Sequence, residues 1–166
     1  MILGQGARIL LVGSAVAIQE VGIESFETAF RLLERFFREE GFRTPAQEMR
    51  ASLHTMITAP GSAVFLAWRG QQAVGVATVT ASVGIEYGRS AELEDLYVLP
   101  GERGSGVARA LIEAVCAWCR EREVSAVLVT VTPAGERAHN LVGYYQRRGF
   151  ANTGRVILER ALGDGR

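Results

Sequence analysis

The polar and apolar positions of the chain change period several times, and each change marks an element. Ala15–Glu20 (AVAIQE) alternates as a half-buried strand does. From Ile23 to Glu40 the period lengthens. Phe26, Phe30, Leu33, Phe36 and Phe37 recur at three- and four-residue intervals with charges between them, which predicts an amphipathic helix closed by Gly41. Thr44-Pro45 fits a capping residue followed by proline in the first turn of a second helix, Pro45–Thr58, which Pro60-Gly61 stops. Ser62–Trp68 and Ala73–Val83 are apolar strands divided by Arg69-Gly70-Gln71-Gln72, a hairpin signal, and Ala91–Leu99 continues the series. Beyond Pro100-Gly101 a glycine-bearing loop opens a helix, Val107–Glu121. Ser125–Val131 (SAVLVTV) has the β-branched look of a fully buried strand, and Thr132–Gly135 interrupts it. A helix over Glu136–Arg148 follows, with Glu136 suited to the positive end of its dipole and Gly149 as its stop. Phe150–Thr153 and Arg155–Leu162 read as closing strands. The order is β-α-α-β-β-β-α-β-α-β-β, a mixed α/β single domain over residues 1–166. Residues 1–14 fit either a leader or an extra strand.

Composition narrows the chemistry. With 166 residues the chain suits one domain, which buries roughly 70% of its unfolded surface and needs no disulfide or metal to hold a core. All 18 basic residues are Arg, and among the 18 acids only Asp95 and Asp164 are Asp. Without Lys there is no lysine Schiff base and no lysine-bearing phosphate loop. Two Asp make an Asp-rich Mg²⁺ or Ca²⁺ site a poor reading. The net charge of zero argues against a nucleic-acid binder. The apolar start of the chain has no basic region ahead of an unbroken apolar stretch, and no run reaches the roughly 18 apolar residues that span a bilayer, so a cytoplasmic protein is expected. Cys116 and Cys119 form a CxxC without the second pair that structural zinc requires. They also fall late in a helix, where no dipole lowers a thiol pKa, and are read as helix thiols rather than a redox pair.

The stretch from Leu93 to Arg109 (LEDLYVLPGERGSGVAR) is the informative one. A strand feeds a glycine turn at a helix start, where unpartnered amides and the positive dipole end favour an anion. Gly104 and Gly106 let a phosphate approach the backbone, and Arg103 offers it a planar cation. The dinucleotide fingerprint fails, since a third glycine would fall at Arg109 and the strand is not the first of its sheet.

Arg103-Gly104-Ser105-Gly106-Val107-Ala108 matches Gln/Arg-x-x-Gly-x-Gly/Ala, and with it the chain resembles the GNAT superfamily of N-acetyltransferases. The preceding LEDLYVLP strand and the later Gly143–Phe150 segment (GYYQRRGF) resemble that family too, over roughly Ser62 to Leu162. The resemblance implies a mixed, mostly antiparallel central sheet flanked by helices, and acetyl-CoA as cosubstrate with no metal. It implies that the backbone of Arg103, Gly104, Ser105, Gly106, Val107 and Ala108, with Arg109, holds the CoA pyrophosphate. The fourth strand of the family splays from the fifth and the pantetheine arm fills the gap; here those are Ala91–Leu99 and Ser125–Val131. Leu96, Tyr97 and Val98 would line that arm, with the Val98 N–H or a neighbour's as the donor to the oxyanion.

An aliphatic ammonium holds its proton to about pH 10, so the acceptor needs a base. Glu94 resembles the acid used as base, usually through water, in spermidine/spermine-type relatives, and Asp95 aligns with an acid invoked in some aminoglycoside-modifying relatives. Strand alternation predicts that the two point to opposite faces. Glu94 is preferred as the base, with Asp95 as substrate ligand or alternate base. Tyr145, four residues before Gly149, occupies the place of the tyrosine that protonates the departing thiolate and contacts CoA; Tyr144 competes for the role. One departure stands out. Many relatives carry a CoA-binding Asn seven residues before that tyrosine, and here the position is Ala138, so that Asn140 or His139 would serve only after a local register change.

In this family the first two helices and the neighbouring strands build the acceptor cleft. Here they carry Glu34, Glu39, Glu40, Glu48 and Glu86, besides Glu92, Glu94 and Asp95. Such a rim suits a small cationic amine, an aminoglycoside or a polyamine, and with the former a role in antibiotic resistance. Acetylation of a protein N-terminus or of lysine is the second reading, and a non-catalytic CoA-binding module the third. No nucleic acid and no membrane is expected as partner; a homodimer is.

Overall fold

Strand-forming, β-branched runs assemble a sheet whose order follows the chain. In the computed structural model, which describes residues 9–12, 16–160 and 162, six strands lie side by side: β1 (Ile9–Val12), β2 (Val16–Glu20), β3 (Ser62–Arg69), β4 (Gln72–Gly84), β5 (Gly88–Val98) and β6 (Ala126–Val129). Neighbours are antiparallel except β5 and β6, which run parallel. The expected mixed, mostly antiparallel sheet is therefore present. Ile9–Val12 pairs antiparallel with β2; residues 1–8, 13 and 14 lie outside the described residues. The chain divides into two compact units, Met1–Thr130 and Val131–Arg166.

In the first unit, helices cover both faces of the sheet. A 3-10 turn at Ile23–Ser25 leads into α1 (Phe26–Glu40), whose Ala29, Phe30, Leu32 and Leu33 are buried. Gly41, at φ 78°, ends it by reversing the chain, and the Phe42 N–H returns to the Phe37 carbonyl at 2.9 Å. The second helix, α2 (Ala46–Thr58), begins one residue later than predicted. Pro45 is extended and takes the capping place expected of Thr44, because its ψ of 142° lies outside the helix. The two helices and one sheet face share a core of Phe30, Leu33, Met49, Leu53, Val64, Leu66, Val76 and Tyr97. On the other face lies α3 (Val107–Glu121), with Val107, Leu111, Val115 and Trp118 buried. It sits close. A Cβ built on Gly75 of β4 would stand 3.0 Å from the Tyr97 carbonyl oxygen, 3.0 Å from Val107 Cγ1 and 3.1 Å from Leu111 Cδ1.

The second unit departs from expectation twice. The single helix predicted over Glu136–Arg148 is two short ones, α4 (Pro133–His139) and α5 (Leu141–Gln146). Asn140, at φ 49°, breaks the helical path between them, a conformation that Asn tolerates better than most residues. The start of α4 is set by Thr132, whose hydroxyl accepts the Gly135 N–H at 3.1 Å ahead of Pro133 in the first turn. The closing strands Phe150–Thr153 and Arg155–Leu162 do not form among the described residues: the chain from 150 to 160 pairs with no strand. Val156 and Leu158 are 85% and 90% exposed, so β-propensity alone stands there without the partner ladder that makes a strand.

Candidate active site

The two antiparallel strands β4 and β5 are in register from the hairpin to Leu93, opposite Val79. The next pair is Thr78 with Asp95, so Glu94 has no partner and forms a β-bulge. A bulge sets two residues against one and cancels the alternation. Thr80 lies opposite Glu92 and Thr78 opposite Asp95, all on the face that carries Val76, Tyr97 and the helices α1 and α2. Glu94, two residues after Glu92, shares that face. The prediction that Glu94 and Asp95 point to opposite faces is thus corrected: the extra residue brings both acids to the α1–α2 side.

There the two acids have different surroundings. The Asp95 carboxylate accepts the Thr78 hydroxyl at 2.7 Å, and the Thr78 oxygen in turn accepts the Asp95 N–H at 3.1 Å. Thr78 is fully buried. Burial raises the Asp95 carboxyl above its ordinary value, against the Thr78 hydrogen bond, which lowers it. Glu94 is exposed overall, yet partial desolvation, then the charge of Glu92, raises its carboxyl as well; the Thr80 hydroxyl opposes this and Asp95 adds to it. Glu92 accepts the Thr130 hydroxyl at 2.6 Å. Thr80 also lines an open cleft of about 540 Å³ with Ser62, Gly61 and the α2 residues Ala51, Ser52, Thr55 and Met56. Thr78 and Thr80 were not singled out from the sequence, although two hydroxyls spaced by two in the apolar run AVGVATVTA were the available signal.

Pairing of β5 with β6 covers only Ser90–Leu93 against Ala126–Val129 and stops where the bulge begins. Among the described residues, from Glu94 to Val98 one edge of β5 has no strand beside it. The Leu99 N–H bonds back to Val74 of β4 at 2.9 Å, so by alternation the Val98 N–H and C=O face the free edge. The loop follows. Pro100–Glu102 make a 3-10 turn, and Gly104 (φ 77°) and Gly106 (φ 90°) take left-handed conformations with open space where a Cβ would stand. No side chain caps α3, so its first-turn amides at Val107, Ala108 and Arg109 are presented by the helix without intrahelical partners. That is a cradle for an anion such as a pyrophosphate. The loop is braced from below: Arg69 Nη2 donates to Ser105 Oγ at 3.0 Å, and Ser105 Oγ donates to the Glu102 carbonyl at 2.6 Å. Arg69 Nε lies 2.9 Å from Glu102 Oε2 but out of line for a hydrogen bond, an ion pair by charge alone.

These features coincide with a family. Residues 26–150 match the sequence profile of the Acetyltransferase (GNAT) family. The chain belongs to that family. Its members use acetyl-CoA, and the open glycine loop with its uncapped helix start fits the phosphates of that cosubstrate. Among solved structures it resembles an integron cassette protein from the mobile metagenome of Cole Harbour Salt Marsh (27% identity, TM-score 0.78, 89% of this chain and 91% of that one). It shares its fold with aminoglycoside N-acetyltransferase AAC(6')-Iy in complex with CoA (24% identity, TM-score 0.77, 93% and 99% covered). It does so too with an aminoglycoside acetyltransferase from an uncultured soil metagenomic sample in complex with trehalose (22% identity, TM-score 0.70, 89% and 97% covered). No curated protein matches the sequence.

In the second unit Tyr145 is buried, its ring 5.3 Å from those of Tyr144 and Phe150. Burial, then the neighbouring Tyr144, push its hydroxyl up to about 12. The Arg148 guanidinium lies over the Tyr144 ring at 3.5 Å. Asn140 is exposed at the break between α4 and α5. Burial raises both cysteine thiols, Cys119 to about 11. Among the described residues no group of three or more potential ligands could hold a metal ion, and no helix is long and apolar enough to cross a membrane.

Proposed function

We propose that the protein transfers the acetyl group of acetyl-CoA directly to a primary amine of a small cationic acceptor, of aminoglycoside or polyamine type. The observation that carries this reading is the bulge at Glu94. It puts Glu94 and Asp95 on one sheet face, the face of Thr80, which borders an open cleft. An ammonium drawn to these acids loses its proton to Glu94, through water, and Asp95 orients it; a carboxyl held above its ordinary value is better matched to that transfer than a solvated one. The amine nitrogen bonds to the thioester carbon, the Val98 N–H stabilises the oxyanion, and the C–S bond breaks. The thiolate takes a proton from Tyr145, a role that rests on its place four residues before Gly149. A phenol pushed up to about 12 reaches that step still protonated. Arg103 to Arg109 hold the CoA phosphates and Leu96 to Val98 the pantetheine arm, with Asn140 as a further CoA ligand. A cytoplasmic homodimer belongs to the same reading, and with an aminoglycoside acceptor so does antibiotic resistance.

Thiol release from acetyl-CoA across polyamines, aminoglycosides and short peptides tests it. Turnover with small cationic amines is expected. Turnover with peptides alone would favour the protein or peptide acetyltransferase, and CoA binding without turnover on any amine a binding module.

A further inference from the structure

Arg103 does not stand free over the glycine loop. Its Nε donates to the Val98 carbonyl at 3.1 Å, its Nη2 lies 3.4 Å from Glu39 Oε2, and its guanidinium carbon is 5.9 Å from the Tyr97 ring centroid. Glu39 belongs to the last turn of α1 and gathers three donors. Arg35 Nε reaches its Oε1 at 2.8 Å, the Tyr97 hydroxyl donates to the same oxygen at 2.9 Å, and Arg103 takes the other. Arg35 first, then Tyr97, hold the Glu39 carboxyl below its ordinary value, so it stays charged. A carboxylate committed in this way is not one that an acceptor amine can claim. It is also the partner that keeps the guanidinium folded back toward β5.

The place where that guanidinium lands matters. The Val98 carbonyl faces the same free edge as the Val98 N–H, and no strand beside it fixes the peptide. Unpartnered, the carbonyl would oppose negative charge gathering at that edge and would leave the strand end loose ahead of Pro100.

We propose that Glu39 is a positioning residue for acetyl transfer: through Arg103 it holds the Val98 edge in the orientation that offers the Val98 N–H to the thioester. On this proposal the Arg103 side chain serves the strand end, and the loop backbone alone holds the phosphates. It rests on the acetyl-transfer reading above, and it assigns α1 a part in the donor half of the reaction.

The test compares Glu39→Gln, Glu39→Asp, Arg103→Ala and Glu39→Gln/Arg103→Ala in the full chain. Turnover, calorimetric Kd for CoA, thermal midpoint and the Val98 amide resonance in ¹⁵N-labelled protein are read for each. Glu39→Gln should lower kcat by about tenfold through lost alignment, with the Kd for CoA within about twofold. The Val98 resonance should shift, and Glu39→Asp should recover part of kcat. The double variant should be no worse than Arg103→Ala, because Glu39 acts through Arg103. An unchanged kcat and Val98 resonance in Glu39→Gln would overturn the proposal. So would an Arg103→Ala variant that binds CoA about tenfold more weakly while keeping its kcat, which is the behaviour of a phosphate ligand. A wild-type chain that binds CoA but acetylates no amine would sink the acetyl-transfer reading, and the Val98 resonance would still report on the brace.

Discussion

From Ser90 to Leu93 the strand β5 has a ladder on each side; from Glu94 through the loop to Gly106 it has lost the one on the β6 side. The sequence has similar polarity in both stretches, and Glu92 and Glu94 are the same residue type. Their prospects differ because of pairing. In the first stretch the backbone is laddered on both edges. In the second, the bulge, the open edge and the uncapped helix start leave acids and amides available to a ligand. Function here begins where hydrogen-bonding capacity is left over.

Substitutions can break that contrast, and the largest effect is expected at the loop. Gly106→Asp puts a side chain at φ 90° and a negative charge in the cradle, and should weaken CoA binding by about 100-fold or more with an unchanged circular dichroism spectrum. Ordinary affinity by calorimetry would remove the loop from the site. Val98→Pro deletes an N–H that the β4 ladder does not use. A loss of about 10²–10³ in kcat is expected, as for an oxyanion donor, with KM for acetyl-CoA changed little. Full activity would move the donor elsewhere.

At the bulge, Glu94→Gln should reduce kcat/KM by about 10²-fold, most near neutral pH. A larger loss in Asp95→Asn would transfer the role of base to Asp95. On the paired side the readout should change. Leu93, 2% exposed, becomes costly as Leu93→Ala, by about 2–5 kcal/mol in a denaturant titration, while kcat at a temperature where the chain is folded stays near wild type. The smallest effect concerns Asp95 and stability. Its folded pKa is raised by burial, so its contribution to stability is present below the unfolded value and is lost as pH rises through the folded one. Asp95→Asn should therefore raise the thermal midpoint at neutral pH, and the gain should vanish on acidification below the ordinary aspartate range. A gain that persisted in acid would assign it to something other than ionisation.

Much of this was legible in the sequence. Amphipathic spacing located α1, the glycine loop announced α3 at the bounds it has, and the Arg103–Ala108 segment located the cradle. What could not be read was the bulge, because alternation is a local rule and register is a property of two strands; nothing in LED marks Glu94 as unpaired. The break at Asn140 was hidden for a related reason. The helical period of Glu136–Arg148 continues across it, and only the backbone angle of one residue interrupts it. The closing strands failed the other way, with propensity present and no partner. Partners were not legible from charge either: Glu39, counted toward the acceptor rim, has its carboxylate engaged by Arg35, Tyr97 and Arg103.

The missing side chain at Gly75 bears on how such a protein can change over generations. An alanine there would press on Val107 and Leu111, the first turns of the helix whose start is the cradle. Any screen that asks only whether the chain folds would judge the core generous toward one methyl, because a helix can lift by a few tenths of an ångström and remain a helix. A selection for growth on acetylating activity would see the same substitution as a defect in cosubstrate capture. Position 75 has no chemistry of its own, yet it limits which sequences can drift without silencing the enzyme.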